Sequence, residues 1–288
     1  MALESGLRLR PAVFADQRRL ASLLNGGARV HRHLDWRKPL DWIGSPPFLV
    51  LEENDQMMAA LACPPDPDAI AWVRLFVVAE GWSVPAAWWP LWEAARQDLA
   101  GRGSFTVAAI ALQPWFVDVL EASRFEFRQH IVMLERESQA TVEYFLPPEV
   151  ALRSMMTYDL PAVAEVDAAA FEPLWQNSLP ALERAYPQAA VATVAEQEGR
   201  LVGYQISTPN PLGAHLARLA VLPQAQGRGV GFALIADLIQ RLARRRIYRL
   251  TVNTQSDNAA SLKLYQQIGF RLTDERYPVY CMQIQGGV

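Results

Sequence analysis

A run of glycines between residues 226 and 231 has the residue types that a phosphate-binding loop needs. Glycine stands at positions 227, 229 and 231, and residues without a Cβ let the backbone turn sharply and approach a ligand closely. The residues that follow are apolar at helical spacing, so the N–H groups of the run lie at a helix N-terminus that favours an anion. A pyrophosphate meets this requirement. The alternative is that the run is only a tight turn between a strand and a helix.

A second segment with chemical potential runs from Asn258 to Phe270. Asn258 is suited to cap a helix, and Tyr265 lies seven positions later on the apolar face of that helix. A tyrosine in such a place is most often a core residue with a solvated hydroxyl. Its phenol could also serve as an acid.

Taken together, the two segments resemble the two signatures of the GNAT N-acetyltransferase superfamily. Residues 226–231 match Q/R-x-x-G-x-G/A, and residues 258–270 match N-x-x-A-x-x-L-Y-x-x-x-G-F with Ser261 in place of Ala. The resemblance implies acetyl-CoA as co-substrate and no metal. The residues that it implies for acetyl-CoA binding are Leu219, Ala220, Val221, Gln226, Gly227, Arg228, Gly229, Val230, Gly231, Asn258, Ser261 and Tyr265.

The resemblance also implies catalytic roles. In the family this tyrosine protonates the departing thiolate, which assigns the acid role to Tyr265; a thiol titrates near 8.5 and a phenol near 10, so the transfer is feasible. Several members place a glutamate base on the preceding strand, where this chain has His215, whose ordinary pKa lies near neutral. The alternative, that His215 is a histidine at a strand edge without a catalytic role, fits equally well. Glu165, Asp167 and Glu172 are further candidates for the base or a solvated face, and water remains an alternative.

These residues require a defined set of elements to position them. Apolar periodicity and turn residues predict such a set over the second half of the chain. The predicted elements are a strand at 150–153, a helix at 159–171 capped by Asp159, a helix at 178–185, hairpin strands at 191–196 and 201–207, a strand at 215–222, a helix at 229–246, a strand at 248–253, a helix at 258–268, and a final strand pair from residue 270. This order indicates a mixed α/β unit with a central, mostly antiparallel sheet.

The same order occurs twice in the chain. RLFVVA at 74–79 resembles RLAVLP at 218–223, and two further pairs of segments, beginning at residues 9 and 152 and at residues 124 and 269, match at nearly the same offset. The repeat predicts two tandem GNAT-like domains of the α/β (mixed α+β) class. We expect a degenerate domain at 1–137, a linker at 138–149 and a catalytic domain at 150–288.

The first copy lacks the chemical residues of the second. The segment equivalent to the glycine run, residues 82–87, contains no glycine, and Pro85 has no N–H to offer a phosphate. Gln113 and Leu120 stand at the positions of Asn258 and Tyr265. Eight of the nine tryptophans lie in this copy, at positions 36, 42, 72, 82, 88, 89, 92 and 115. We expect the first copy to be structural, to pack on the second and to help wall the acceptor site.

Composition excludes several classes of protein. The 288 residues are 51% hydrophobic and 20% charged, which is typical of a folded chain and not of a disordered one. The net charge of -3, with 27 basic and 30 acidic residues, disfavours nucleic acid as a partner. Neither a signal peptide nor a membrane span is recognisable, so we expect a soluble, cytoplasmic protein without a membrane partner.

Three smaller features favour ordinary structural roles. Two cysteines, Cys63 and Cys281, are too few for a disulfide framework. His31 and His33 have no further ligand near them in sequence, so a metal site is not expected. A basic cluster complements the dipole at the end of a predicted helix; its members are Arg241, Arg244, Arg245, Arg246 and Arg249.

The sequence predicts an N-acetyltransferase whose second domain transfers an acetyl group from acetyl-CoA to an amine by direct attack. The alternative is an acyl-CoA sensor or a partner-binding module without turnover. Tyr265 favours the enzyme, because a sensor needs no acid beside the sulfur. The acceptor is either a small molecule or a protein N-terminus, and the chain is either a monomer or a homodimer.

Overall fold

The computed structural model of the protein describes residues 6–147 and 149–287. Met1–Ser5, Pro148 and Val288, which belong to the predicted first domain, linker and second domain, lie outside the described residues. The chain forms two compact units. The first comprises Met1–Arg128 together with Pro278–Val288, and the second comprises Gln129–Tyr277.

The first unit contains a five-stranded antiparallel sheet, a parallel strand pair and helices. Its elements are β1 (Leu7–Pro11), α1 (Gln17–Gly26), β2 (Arg29–Arg32), β3 (Phe48–Glu53), β4 (Gln56–Ala62), β5 (Ile70–Trp72), β6 (Leu75–Val78), α2 (Val84–Ala100), β7 (Phe105–Ile110), α3 (Pro114–Ala122) and the start of β8 (Glu126–Glu137). Five strands follow the order β1-β3-β4-β6-β2, and β5 pairs in parallel with β7. Trp42, Trp88 and Trp92 lie in the core of this unit itself, each at most 3% exposed.

The second unit has one central sheet. Its further elements are β9 (Val150–Ser154), α4 (Leu160–Ala170), α5 (Leu179–Ala185), β10 (Val191–Gln197), β11 (Arg200–Asn210), β12 (Gly213–Val221), α6 (Val230–Arg244), β13 (Arg249–Gln255), α7 (Ala259–Ile268) and the start of β14 (Arg271–Ile284). The strand order is β14-β8-β13-β12-β11-β10-β9. The pairs from β9 to β12 and the pair β8–β13 are antiparallel, whereas β12 and β13 are parallel.

The predicted mixed α/β fold with a mostly antiparallel sheet is confirmed in both units. The hairpin predicted at Glu198-Gly199 is present, and both residues adopt the left-handed conformation, with φ of 50° and 77°, that a tight turn requires. The capping role predicted for Asp159 is wrong in its detail. Asp159 precedes α4, but its carboxylate accepts hydrogen bonds from Met156 N at 2.7 Å and from the Arg153 guanidinium, and so it stabilises the turn before the helix.

The predicted final strand pair is also wrong, because residues 271–284 form a single strand, β14. Its beginning lies in the second unit, and its residues 279–284 pair antiparallel with β7 of the first. In return, residues 131–137 of β8 pair with β13 of the second unit. The compact units therefore differ from the predicted repeat boundaries at residues 137 and 150, because the last strand of each repeat completes the sheet of the other unit.

The two faces of the second sheet carry different helices. Ala214, Leu216 and Val252 pack with α6 and α7 on one face. Tyr204, from β11, meets α4 on the other face. The register of β12 with β13 ends at Leu216↔Val252, whereas its register with β11 continues to Val221. The end of β12 thus separates from β13, and it leads directly into the glycine run.

Candidate active site

The glycine run forms the entry to α6. Gly227 and Gly229 have φ values of 72° and 85°, in the left-handed region that side chains disfavour, and Gly229 is the N-cap of the helix. No side chain among the described residues caps this N-terminus. The first N–H groups of α6 are therefore available to an external anion, which fits the pyrophosphate of acetyl-CoA.

Gly231 has a different reason to be glycine. A Cβ at this position would lie 3.3 Å from Cδ2 of Leu264 and 3.7 Å from Cγ2 of Val221. The residue thus permits close packing of α6 against α7 and the end of β12. Sequence reasoning treats the three glycines alike, but two of them set the conformation of the loop and the third lets the helices approach.

Gln226 and Arg228 frame the loop. The Gln226 side chain donates from Nε2 to Val221 O at 3.0 Å and so ties the loop to the end of β12. Arg228 lies 3.6 Å from Glu149, and both side chains are exposed, so this ion pair adds little to stability. Residues 226–229 are exposed, whereas Val230 is buried and anchors the helix. Because residues 226–229 are exposed and Val230 is buried, the backbone N–H groups of the loop are accessible to a ligand while the helix stays fixed.

The last residues of β12 alternate between the two faces of the sheet. Leu219 and Val221 pack with the apolar cluster beneath α6, while Ala220 pairs with Tyr204 and faces α4. Because the pairing with β13 ends before them, the backbone at 219–221 offers polar groups on the side where the two strands separate. These are the groups that the sequence assigns to acyl-CoA binding.

Tyr265 lies on α7, 5% exposed, with its ring 5.7 Å from that of Phe270. Burial raises the pKa of the Tyr265 phenol above its ordinary value, and the nearby positive charge of Arg218 acts in the opposite direction. The hydroxyl is therefore protonated at neutral pH, as an acid must be before it acts. At the start of the same helix, Asn258 Oδ1 accepts a hydrogen bond from Ser261 N at 3.0 Å, so Asn258 is the N-cap that its position predicts.

His215 lies on β12 beside Thr251 of β13, and both of its ring nitrogens are engaged. Nε2 donates to Asn253 Oδ1 at 2.9 Å, which leaves Nδ1 to accept from the Thr251 hydroxyl at 2.9 Å. Burial lowers the pKa of His215 below its usual value, so the imidazole is neutral at pH 7. A neutral imidazole can take up a proton, but it must first release the Thr251 hydroxyl.

Asp167 is fully buried, so its interpretation as a solvated face is wrong. Its carboxylate accepts two hydrogen bonds from the Arg218 guanidinium, both at 2.7 Å, one from the Tyr204 hydroxyl and one from Asn177 N. A carboxylate with every acceptor site in use is a structural anchor rather than a free base. Glu165 and Glu172, by contrast, are exposed.

Arg218 is the residue at this site that sequence reasoning misses. Besides Asp167, its guanidinium contacts the Phe171 ring at 3.6 Å and donates to Trp175 O at 2.6 Å. Arg218 thereby fastens the segment between α4 and α5 to the strand that carries Leu219–Val221. A signal was present in the repeat, because RLAVLP begins with Arg218 and its match RLFVVA begins with Arg74.

The described residues show neither a metal-binding cluster nor a membrane-spanning helix. Among the described residues, no group of three or more His, Cys, Asp or Glu side chains is arranged to hold a metal ion. His31 is a core residue whose Nε2 donates to Val73 O at 3.0 Å, and the His33 ring stacks on Trp72. None of the described helices combines the length and the apolarity needed to cross a membrane.

Comparison with known proteins places residues 160–270 in the acetyltransferase (GNAT) family, whose model matches this segment. The ribosomal protein bS18-alanine N-acetyltransferase of Escherichia coli is 29% identical over 119 residues, which are 41% of this chain and 79% of that protein. The spore coat polysaccharide biosynthesis protein SpsD of Bacillus subtilis is 30% identical over 90 residues, and this chain spans only 31% of its length.

Solved structures match over the whole chain. A GCN5-related N-acetyltransferase from Sphaerobacter thermophilus has 17% identity and a TM-score of 0.64, with 100% of this chain and 98% of that chain covered. A tandem GNAT protein from the clavulanic acid biosynthesis pathway has 15% identity and a TM-score of 0.65, with 98% and 100% covered. At these identities the likeness concerns the fold, and it confirms the predicted tandem arrangement.

Proposed function

We propose, from the match of residues 160–270 to the acetyltransferase (GNAT) family and from the tandem fold, that the second unit of this chain transfers an acetyl group from acetyl-CoA to an amine. The amine nitrogen attacks the thioester carbonyl, a C–N bond forms, and the C–S bond breaks with its electron pair on sulfur. The surplus proton of the amine goes to a base, and the thiolate takes a proton from an acid.

One observation carries the proposal: the separation of β12 from β13 after Leu216 leads straight into an uncapped helix N-terminus at Gly229. The thioester arm would lie along the free side of residues 219–221, and the pyrophosphate oxygens would accept hydrogen bonds from the N–H groups of the loop. Tyr265 is buried on the helix that flanks this opening. If the glycine run were only a turn, the opening between β12 and β13 would not need to lead directly to an uncapped helix N-terminus.

The protonation states support the assigned roles. Tyr265 keeps its proton because burial raises the pKa of the phenol, so it can donate to the thiolate. From ordinary values near 10 and 8.5 this transfer is uphill by about 2 kcal/mol. Burial of the phenol adds to this cost, and the positive charge of Arg218 offsets part of the increase because it stabilises the phenolate that remains.

We assign the base role to His215, neutral at pH 7 and already on the strand that holds the thioester. Replacement of His215 by Gln should keep a hydrogen bond to Asn253 but remove the proton acceptor. The variant should lose activity by about 10²-fold or more at pH 7, with acetyl-CoA affinity unchanged. Wild-type activity in the variant would make water the base.

The names of similar proteins guide the choice of acceptor. One is an acetyltransferase of a protein alanine, and another, 35% identical over 81 residues, is an L-2,4-diaminobutyric acid acetyltransferase of Nocardia farcinica. Both names point to primary amines of amino-acid type. We propose an acceptor of this class, either a free diamino acid or a peptide N-terminus.

The experiment is thiol release from acetyl-CoA by the full chain with a panel of amines. The panel contains 2,4-diaminobutyrate, a peptide with an N-terminal alanine, a polyamine and an aminoglycoside. Release that depends on one amine class supports the enzyme and identifies its acceptor. Saturable acetyl-CoA binding without release from any amine contradicts the proposal and favours the sensor.

A further inference from the structure

A second candidate binding site lies in the second unit, at the end of α6. Arg241, Arg244 and Arg245 line a pocket of about 540 Å³, which we name the arginine pocket. Ser154 and Tyr186 also line this pocket. Its volume is within the range of small-molecule sites, about 300–1,000 Å³. The helix dipole accounts for the sign of these charges but not for the pocket that the three arginines line together.

Two of the guanidinium groups are already held in place. Arg241 donates from Nε to Asp237 at 2.7 Å and from Nη1 to the Ser154 hydroxyl at 3.1 Å. Arg245 donates from Nη1 to Ala190 O at 2.8 Å. A guanidinium has five N–H donors, so both arginines keep donors for a ligand. Side chains that are already ordered lose little further freedom when a ligand binds.

The charge of the pocket indicates the charge of its ligand. Three guanidinium groups line it, and one of them, Arg241, is neutralised by Asp237. Two positive charges remain. A phosphate monoester carries a charge of about −1.5 to −2 at pH 7 and three acceptor oxygens, which suit the planar donor pairs of arginine. We propose that the arginine pocket binds the phosphate group of a small phosphate monoester.

This site is distinct from the glycine run. The run opens α6 at Val230, and the arginines lie at its other end, at Arg244, so that the helix is 15 residues long. A helix of this length spans about 22 Å. A ligand in the arginine pocket would therefore occupy the end of α6 opposite to the one that we assign to acetyl-CoA, and the inference does not depend on the proposed acetyl transfer.

The test is a titration of the full ¹⁵N-labelled chain with glycerol 3-phosphate, followed by NMR at constant ionic strength. We expect saturable shifts of the amides of residues 190–192, and none with glycerol. Arg244→Gln should weaken this binding by about tenfold or more, because it removes a charged donor. Arg246→Gln is the matched control: Arg246 is exposed at the same helix end but does not line the pocket. It should change affinity by less than about twofold.

Three outcomes would overturn the proposal. Absence of saturable shifts at residues 190–192 would mean that the pocket holds no phosphate monoester. Shifts confined to residues 227–230 would place the phosphate on the glycine run. Equal weakening by the two arginine variants would reduce the effect to general attraction by a basic helix end. Arg244 is exposed, and its replacement should leave the melting temperature unchanged, which separates lost binding from lost folding.

Discussion

The two units share a framework and differ at one helix start. In each unit an arginine binds an aspartate six residues later and a glutamate on a neighbouring strand. On β1 of the first unit Arg10 binds Asp16 and Glu52, and on β9 of the second unit Arg153 binds Asp159 and Glu196. Each aspartate also accepts a backbone N–H three residues before it. The duplicated fold has therefore kept the same ion-pair network in both units.

The units diverge at the helix that follows β6 in the first unit and β12 in the second. In the first unit α2 starts after Ser83, whose hydroxyl accepts from Ala86 N at 3.5 Å, and Pro85 lies in the first turn. In the second unit α6 starts after Gly229 with no side-chain cap among the described residues. The start of α2 has a side-chain cap, and the start of α6 has none among the described residues. This contrast agrees with the proposal that only the second unit binds acetyl-CoA, because the two helix starts differ in capping while the fold stays the same.

The largest effect should come from cutting the chain at the repeat boundary. A fragment of residues 150–288 lacks the part of β8 that pairs with β13, including Leu134, which is fully buried in the core of the second unit. It should aggregate, because an unpaired strand and an apolar patch become exposed. A fragment of residues 129–277 keeps this strand and should be more soluble, as size-exclusion chromatography can show. A monodisperse 150–288 fragment with full acetyl-CoA affinity would contradict this reasoning.

Gly229→Val should weaken acetyl-CoA binding by more than about 100-fold, since it strains the loop and removes several charge-assisted hydrogen bonds. Gly199→Val is a control of similar strain, because Gly199 also has a positive φ, of 77°, but lies in a hairpin with open space around it. Calorimetry of the wild type should give one site per chain. Two equivalent sites would mean that the first unit also binds acetyl-CoA.

Tyr265→Phe should lower kcat by about 10²- to 10⁴-fold with little change in acetyl-CoA affinity, because the hydroxyl acts only as the sulfur departs. The matched control is Tyr280→Phe, at a tyrosine of similar burial in the first unit, whose hydroxyl donates to Glu121. That variant should keep its turnover. An unimpaired Tyr265→Phe enzyme would show that water protonates the thiolate.

The smallest effect should come from the shared ion-pair network. Arg153 holds the pKa of Asp159 below its usual value, as Arg10 does for Asp16. The stabilisation is therefore present above the unfolded pKa, near 4, and is lost as the pH falls through the lower folded pKa. Asp159→Asn and Asp16→Asn should each cost about 1 kcal/mol in the free energy of unfolding at pH 7. The cost should fall as the pH is lowered, as chemical denaturation at a series of pH values can measure; a cost that does not change with pH would rule out the charge as its source.

Local features of the sequence predicted well, and long-range pairings did not. The turn at the glycine run, the helix predicted at 178–185 and the turn at Glu198-Gly199 each depend on a few neighbouring residues, and all three are found where they were expected. The partner of Arg218 lies 51 residues away on another element, and no local pattern identifies Asp167 as that partner. Likewise, nothing in the residues of β14 reveals that its two ends lie in different units.

The division of the first unit between residues 1–128 and 278–288 has a consequence during synthesis on the ribosome. Strand β7 has to wait for residues 279–284, which emerge only after the whole second unit has been translated. At about 5–20 residues per second this delay is roughly 10–30 s. Until then the edge of β7 is open to other nascent chains. A chaperone that shields such an edge should therefore raise the yield of this protein more than that of a protein whose first domain is one continuous segment, which can fold as soon as it leaves the ribosome.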